Sequence, residues 1–307
     1  MKPGGRAQRY LDRASQRVVD EAGRLWSRHH PPFEQLAGLT SIAASPASPT
    51  YLFSTRDVVI GRNVLKHSGY EEDELRWVLD YLGQPQLQRT VVDVGANIGT
   101  TTVPLLLRYG AARVEAFEPD DMNFKLLRCN LILNGVEDQA IPRQLAISDV
   151  NGEVTFELCG WNFGDHRVRV DEDASAGIHE ESSRATVIVA ASRLDDAVST
   201  LPEEIGLIWI DAQGHEAHIL EGAPGLLDQG MPWVIEYWPY GLTRQRGLEG
   251  LNKALAKRAS HVVDVRRSMT EGRPVLVETA SLDRIAAELG NEYTDFILLP
   301  EAAAADR

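Results

Sequence analysis

The chain has 307 residues, of which 43% are apolar and 25% are charged, a composition typical of a globular protein with one large or two small domains. Its formal net charge of −14 disfavours nucleic acid and anionic lipid as partners, because like charges repel. Two cysteines form neither a disulfide framework nor a zinc cluster, and no apolar run could span a bilayer, so the sequence predicts a cytoplasmic protein.

The first 50 residues are predicted to form an N-terminal helix and a linker. Residues 1–25 are basic and place their apolar side chains near one side of a helix, which predicts a docking helix or a frayed terminal segment. The apolar positions are Leu11, Val18, Val19 and Leu25. Residues 39–50, LTSIAASPASPT, are small and contain prolines, which predicts a linker or loop.

Two patterns precede the main alternation of strands and helices. YLFSTRDVVIGR at 51–62 alternates apolar and polar residues, which predicts a pair of strands. YEEDELRWVLDYL at 70–82 repeats its apolar residues at helical spacing, which predicts an amphipathic helix. The predicted buried face of that helix consists of Leu75, Val78, Leu79 and Leu82.

From residue 90 onward, apolar strand patterns alternate with helical patterns. This order predicts an α/β fold with a largely parallel sheet and right-handed crossovers. Predicted strands lie within residues 90–95, 113–119, 140–149, 152–159, 184–196, 206–214, 232–239, 261–267 and 294–300. Predicted helices lie within residues 101–110, 120–135 and 215–227. A polar insertion at 160–184 separates two of the strands.

The turn TVVDVGANIG at 90–99 carries the clearest chemical signal. Gly95 and Gly99 let the backbone approach a ligand closely, and the helix that follows offers free N–H groups. Glu118 ends the next strand, where a carboxylate can accept two ribose hydroxyls. The spacing D-x-G-x-x-x-G lacks the second glycine of a dinucleotide motif, so a nicotinamide-dependent dehydrogenase is the weaker alternative.

Four segments together resemble the FkbM-type S-adenosylmethionine (SAM)-dependent methyltransferases. They are VVDVGANIGTTTVPLLL, VEAFEPDDMNFKLLRCNLILNG, LAISDVNGEVTFEL and IWIDAQGHEAHILEGAPGLL. The resemblance implies a class I methyltransferase fold, which is a Rossmann-like, doubly wound α/β sheet of order 3-2-1-4-5-7-6 with an antiparallel last strand. It places the methyltransferase domain at residues 51–300, after the N-terminal helical and β extension at 1–50 and before a C-terminal tail at 301–307.

The resemblance also implies a reaction class. Family members mostly methylate hydroxyls of sugars, glycolipids or polyketide-type natural products. The expected activity is therefore SAM-dependent O-methylation of a small-molecule or glycan acceptor, by a protein that could form a homo-oligomer. A non-catalytic SAM-binding module that has lost its base is the alternative from another functional class.

The cofactor residues carry over position by position. The resemblance assigns the methionine end and the ribose of SAM to the first glycine loop, and the ribose also to the acid of the second strand. It assigns the adenine side to the end of the third strand. In this order the residues are Asp93, Gly95, Asn97 and Gly99, then Glu118, then Ile147 and Asp149. Asp211 and the Gly214-His215-Glu216 segment match the family pattern after the fourth core strand.

Catalysis requires a base, because a hydroxyl is a poor nucleophile until its proton is removed. Asp211, at the end of a core strand, is the first candidate, and His215 and His166 follow. Mg²⁺ held by Asp211 and Glu236 is a further hypothesis, because carboxylate oxygens suit that ion. A catalytic zinc is disfavoured, because His215 and His218 are three residues apart rather than four.

Two positions depart from the family pattern. The family commonly has a lysine and a glutamate where this sequence has Trp209 and Gln213. Any catalytic role that depends on those two charges is therefore in doubt for this chain.

Acceptor contacts are expected from two polar or aromatic segments. WNFGDHR at 161–167 either contacts the acceptor or forms a turn at Gly164 with a structural Asp–Arg pair. Around the fifth core strand, Trp233 is expected in the core, whereas the aromatic residues from 237 to 240 are expected at the rim of the site. The predicted substrate-binding residues are Asn162, Asp165, Glu236, Tyr237 and Trp238.

Overall fold

The computed structural model describes residues 33, 40–45, 48–170 and 177–300. The predicted N-terminal helix over residues 1–25 and the predicted tail at 301–307 lie outside these residues. Within the described part of the chain, no helix is both long enough and apolar enough to cross a membrane.

Fourteen strands and twelve α-helices are described, together with several short 3-10 turns. The strands are β1 Ile42–Ala44, β2 Leu52–Ser54, β3 Thr90–Val94, β4 Arg113–Phe117, β5 Ala140–Arg143, β6 Ala146–Ser148, β7 Gly152–Leu158, β8 Arg167–Val168, β9 Ala185–Arg193, β10 Ile205–Ile210, β11 Trp233–Tyr237, β12 His261–Asp264, β13 Leu276–Glu278 and β14 Thr294–Leu298. The helices are α1 Ile60–His67, α2 Glu72–Leu82, α3 Gln84–Leu87, α4 Thr102–Leu107, α5 Asp121–Leu133, α6 Leu194–Ala197, α7 Glu216–Glu221, α8 Pro224–Leu227, α9 Pro239–Arg244, α10 Leu248–Arg258, α11 Val265–Glu271 and α12 Leu282–Leu289.

An eight-stranded sheet forms the centre of the protein, in the order β13-β12-β14-β11-β10-β3-β4-β5. The strands from β11 to β5 are parallel, and β14 runs antiparallel to both β11 and β12. The predicted α/β fold class is confirmed, and β13 is an additional edge strand that the sequence analysis did not predict. Because the parallel strands share one direction, β3, β4, β10 and β11 end at the same edge of the sheet.

Side chains of alternate residues fill two apolar layers, one on each face of the sheet. Val91 of β3 packs in one layer, and its neighbour Val92 packs in the other. The amphipathic helix α2 covers the first layer, and its four predicted core residues are all buried. That prediction is therefore confirmed.

A second sheet of four strands has the order β6-β9-β7-β8. The segment at 140–149 was predicted as one strand, but the chain breaks at Gln144 and Leu145, so β5 joins the central sheet and β6 joins the second sheet. The insertion between β7 and β9 contains β8 and a 3-10 turn at Phe163–Asp165. This sheet holds the insertion above the edge where the parallel strands end.

The predicted strand pair at 51–62 is wrong in its second half. Only β2 forms there, and it pairs with β1, which lies in the stretch predicted as a linker. The second half begins helix α1, because Asp57 Oδ1 accepts hydrogen bonds from the backbone N–H groups of Val59 and Ile60, at 3.0 Å each. A side chain that caps the first helical N–H groups overrides a short alternating pattern.

Gly95→Ala should strongly destabilise the protein. Gly95 has φ of 90°, and a Cβ on its backbone would overlap the carbonyl oxygen of Asp211. Strained backbone and overlap in a buried turn together are expected to cost about 3 kcal/mol or more. Urea unfolding followed by circular dichroism measures the loss.

The matched control for this prediction is Gly160→Ala. Nothing lies within 4 Å of a Cβ at Gly160, so its unfolding midpoint should stay close to that of the wild type. Equal stability of the two variants would contradict the proposed backbone contact.

Candidate active site

A cleft with about 500 Å³ of empty space lies at the edge where β3, β4 and β10 end. The turns after these strands form its floor, the segment before β7 forms one wall, and the insertion after β7 covers it. Its lining residues include Gly95, Asn97, Glu118, Ile147, Phe156, Phe163, His166, Asp211, Gln213 and His215. The structure thus brings together most of the predicted cofactor residues and all three predicted catalytic residues.

The turn after β3 is held by backbone contacts to two neighbouring strands. The N–H groups of Gly95 and Ala96 both donate to the carbonyl of Phe117 at the end of β4, at 3.0 Å each. Asn97 adopts a positive φ of 49° and donates its N–H to Glu118 Oε2 at 2.9 Å. A side chain at position 95 would overlap the carbonyl oxygen of Asp211 in the turn after β10, and the predicted contact of Gly95 with the cofactor stays a prediction.

Asp93 and Gly99 support this turn from below. The buried Asp93 carboxylate accepts a hydrogen bond from the Thr102 hydroxyl at the start of α4, at 2.5 Å. Burial raises the pKa of Asp93 to about 7. Gly99 packs against Leu127 of α5. Their predicted contacts with the cofactor stay predictions.

Glu118 presents a buried carboxylate to the cleft. Its Oε2 accepts from the N–H of Asn97, and its Oε1 accepts from the N–H of Asp120 at 2.8 Å. Burial, with a smaller contribution from the charge of Asp120, raises the pKa of Glu118 to about 8. Each oxygen still has a lone pair free, so two ribose hydroxyls could donate to this carboxylate.

Ile147 lies in an apolar wall, together with Phe117, Pro119, Phe156 and Phe163. A flat apolar slot beside a carboxylate suits a nucleoside, with the base in the slot and the ribose on the acid. The acidic lining also suits the positive sulfonium of SAM. The residues present therefore fit the cofactor that the sequence predicts.

Asp149 points away from this slot. Its Oδ1 lies 2.9 Å from the Ser148 hydroxyl oxygen, and its Oδ2 lies 3.6 Å from His218 Nδ1. Burial acts against ionisation of Asp149, but these partners outweigh it and lower the pKa. Its predicted place beside the adenine stays a prediction.

Asp211 forms the polar centre of the cleft, together with two neighbours. Its Oδ1 accepts from the side-chain amide of Gln213 at 2.7 Å, and the same amide nitrogen lies 3.2 Å from both carboxylate oxygens of Glu236. Burial and the charge of Asp211 raise the pKa of Glu236 well above its usual range. Burial raises the pKa of Asp211 too, so at most one of these two buried carboxyl groups is expected to be ionised.

The Gln213 amide occupies the position between these carboxylates that a bridging ion would need. Among the described residues, the metal-type side chains that do converge are Asp149, His218 and Glu221, outside the cleft. The hypothesis of Mg²⁺ held by Asp211 and Glu236 is not supported by this geometry.

Two further acids that the sequence analysis missed face the same region. Asp295 of β14 lies directly opposite Glu236 of β11 in the antiparallel register, and burial and the charge of Glu71 raise its pKa well above the usual range. Glu71 accepts from the Tyr293 hydroxyl at 2.6 Å, and burial raises its pKa to about 7. The register of β11 and β14 places Asp295 beside Glu236, and no local sequence pattern encodes that register.

His215 is fixed by hydrogen bonds at both ring nitrogens. Gln245 donates its amide to the carbonyl of Val168 at 2.7 Å, so its oxygen accepts from His215 Nδ1 at 3.0 Å. His215 Nε2 lies 2.9 Å from the Ser148 hydroxyl. Burial lowers the pKa of His215 to about 4. With both nitrogens engaged, His215 is less suited than Asp211 to take a proton from an acceptor.

His166 lines the cleft but has the wrong tautomer for a base. Its Nδ1 accepts the backbone N–H of Cys159 at 3.0 Å, so the neutral ring carries its proton on Nε2. Burial lowers the pKa of His166 to about 4, which keeps the ring neutral at physiological pH. His166 can therefore donate a hydrogen bond into the cleft.

The insertion is held by a turn and by buried ions. Asn162 Oδ1 accepts from the N–H of Gly164 at 3.1 Å. Asp165 is 3% exposed and is bound by the guanidinium groups of Arg167 and Arg184. These contacts give the turn and the structural Asp–Arg pair that the sequence analysis set out as the alternative. The predicted acceptor contacts of Asn162 and Asp165 stay predictions.

The aromatic residues Tyr237 and Trp238 at the end of β11 are both buried. Tyr237 was expected at the rim, and that is wrong: it is fully buried, its ring packs on Phe296, and its hydroxyl donates to Asn252 at 2.8 Å. A residue within a central strand points into one of the two core layers. Trp238 lies beyond the strand end, beneath the guanidinium of Arg167 at 4.9 Å, and Trp233 is buried as expected.

Comparison with known proteins agrees with this geometry. The family model described as Methyltransferase FkbM domain matches residues 93–246, half of the chain. A relative from Sinorhizobium fredii, named 2-O-methyltransferase NoeI, is 28% identical over 173 residues, covering 53% of this chain and 68% of the relative.

Solved structures of low similarity include two methyltransferases. One is an O-methyltransferase from Bacillus cereus in complex with S-adenosylhomocysteine (SAH), with TM-score 0.42, 13% identity, and coverage of 79% of this chain and 87% of that chain. Another is the O-methyltransferase TomG from Streptomyces achromogenes in complex with SAM, with TM-score 0.41, 12% identity, and coverage of 75% and 81%. On the strength of the family match, this chain belongs to the FkbM family of SAM-dependent methyltransferases.

Proposed function

We propose that this methyltransferase is an O-methyltransferase in which Asp211 is the general base. The observation that carries the proposal is the Asp211 carboxylate in the cleft, which accepts from the Gln213 amide that also contacts Glu236. The proposal assigns the proton to Glu236, whose pKa is raised by burial and by the charge of Asp211. The acceptor would be a hydroxyl of a sugar, a glycolipid or a polyketide-type natural product. The relative named as a 2-O-methyltransferase supports oxygen as the methylated atom.

SAM, when bound, supplies a methyl group on a positively charged sulfur. Glu118 would hold its ribose, and Ile147 and Phe163 would flank its adenine. The task of the other residues is to hold the acceptor hydroxyl and to receive its proton. Asp211 would accept that proton as the methyl group passes from sulfur to the hydroxyl oxygen and the sulfur–carbon bond breaks, so a neutral carboxylic acid would remain at position 211.

The carboxylates of the cleft favour this arrangement electrostatically. Buried acids stabilise positive charge and raise the basicity of one another, because each disfavours a second negative charge nearby. Burial raises the pKa of Asp211, and the hydrogen bonds from Gln213 and Glu236 limit that rise. A base with a raised pKa is better matched to a hydroxyl proton than an exposed aspartate would be.

The Asp211→Asn and Glu236→Gln variants separate the two carboxylates. Asp211→Asn removes the proton acceptor and should lower turnover by about 10²- to 10⁴-fold, with little change in SAH affinity. Glu236→Gln replaces a neutral acid by a neutral amide of the same shape, so turnover should fall less than about tenfold. SAH formation with a panel of glycans and polyketide aglycones provides the assay.

If Glu236→Gln lowered turnover more than Asp211→Asn does, Glu236 rather than Asp211 would be the general base. SAH binding without turnover on any acceptor would favour the non-catalytic module instead. EDTA should leave the rate unchanged, because the Gln213 amide fills the gap between the carboxylates. Activity that is lost in EDTA and restored by Mg²⁺ would contradict this account.

Binding of SAH should release a proton from Glu118. In the free protein this group, with its pKa of about 8, is mostly protonated at pH 7. Ribose hydroxyls donate to the ionised form, so they lower the pKa on binding. Affinity should therefore rise with pH up to about pH 8 and level off above it. Calorimetry in buffers of different ionisation enthalpy counts the protons released.

Glu118→Gln provides the control for this measurement. The amide keeps the shape of the side chain but cannot ionise, so proton release should disappear and affinity should fall about tenfold or more. Unchanged proton release in a folded Glu118→Gln variant would show that another group titrates.

A further inference from the structure

An open edge lies along the first part of β9. Strand β7 pairs with β9 over residues 185–191, whereas β6 covers the other side only from Ala191 to Arg193. Within the described part of the chain, no backbone hydrogen bond reaches that other side between residues 185 and 190. Ile188 is 62% exposed and Val187 is 39% exposed.

This edge lacks the usual protection against pairing. Edge strands in monomeric proteins commonly carry charges, prolines or bulges that prevent contact with a second strand. Residues 185–192, ATVIVAAS, contain no charge and no proline, and four consecutive residues are β-branched. An uncharged edge is notable in a chain whose net charge of −14 makes most of its surface repel another copy.

The edge is also complementary to itself. Two copies of β9 related by a two-fold axis run antiparallel, and directly opposed residues must point to the same face of the sheet. The axis must then lie midway between one residue and the same residue of the second copy. Placing it at Ile188 pairs residues 186–190 of the two copies, and these residues fit within the open stretch. Ile188 then meets Ile188 of the second copy, Val187 meets Val189, and Thr186 meets Ala190.

From this complementarity we infer that the protein forms a two-fold dimer by pairing of the open β9 edges, centred on Ile188. The occupant is a second copy of this chain, because the pairing sets β-branched and small residues opposite one another with no charge in the contact. A five-residue edge is short compared with a standard interface of about 800 Å² per partner. The dimer should therefore dissociate on dilution.

Sedimentation velocity of the full chain over a range of concentrations tests the dimer. The wild type should shift from monomer to dimer as concentration rises, and Ile188→Lys should stay monomeric, because two lysines would face each other across the axis. Leu276→Lys is the matched control: Leu276 is also 62% exposed on an edge strand, β13 of the central sheet. Leu276→Lys should dimerise like the wild type.

Cross-linking tests the register independently of charge. In a Cys129→Ser background, Ile188→Cys should form a disulfide-linked dimer on mild oxidation, because directly opposed residues lie about 4.5–5.5 Å apart. Thr186→Cys alone should not cross-link, whereas a mixture of Thr186→Cys and Ala190→Cys proteins should. A wild type that is monomeric at all concentrations, a dimer that persists in Ile188→Lys, or a failure of Ile188→Cys to cross-link would overturn the proposal.

Discussion

The close contact between the turns after β3 and β10 is the constraint on which the active site depends. The N–H of Asp211 donates to the carbonyl of Val94 at 3.0 Å, and the carbonyl of Asp211 lies where a side chain at position 95 would begin. The cofactor turn and the proposed base are therefore positioned by backbone atoms of adjacent parallel strands. Side-chain rotamers contribute less to their relative position than the register of β3 and β10 does.

A second constraint on the site is its group of buried carboxyl groups, which burial and mutual repulsion keep partly protonated. Burial and the charge of Asp211 raise the pKa of Glu236, and burial and the charge of Glu71 raise the pKa of Asp295. Buried carboxylates are costly unless they are hydrogen-bonded or neutralised. Such an arrangement is stable because protons neutralise part of it.

The sequence predicted the fold class and the cofactor turn because both depend on local patterns. Apolar runs that end at glycine, followed by helical patterns, indicate strand–turn–helix units, and Asp120 caps the helix α5 that follows β4. The strand at 140–149 was not resolved into two, because the division depends on which sheet each half joins. The prediction for Tyr237 was wrong because a difference of one residue in where a strand ends decides whether a side chain lies in the core or at the cleft. Asp295 and Gln245 were missed because their partners are more than 25 residues away in the chain.

The insertion above the cleft and the sheet beneath it are held together by different forces. The sheet buries apolar side chains on both faces. The insertion is held instead by buried ion pairs, in which Arg167 and Arg184 bind Asp165 and also contact Glu157 of β7. The desolvation penalty of ion pairs falls as temperature rises, whereas the stabilisation from apolar burial reaches a plateau. We expect the cover of the site to keep its structure on warming relative to the sheet, so that loss of activity on heating would follow melting of the floor of the site rather than opening of its cover.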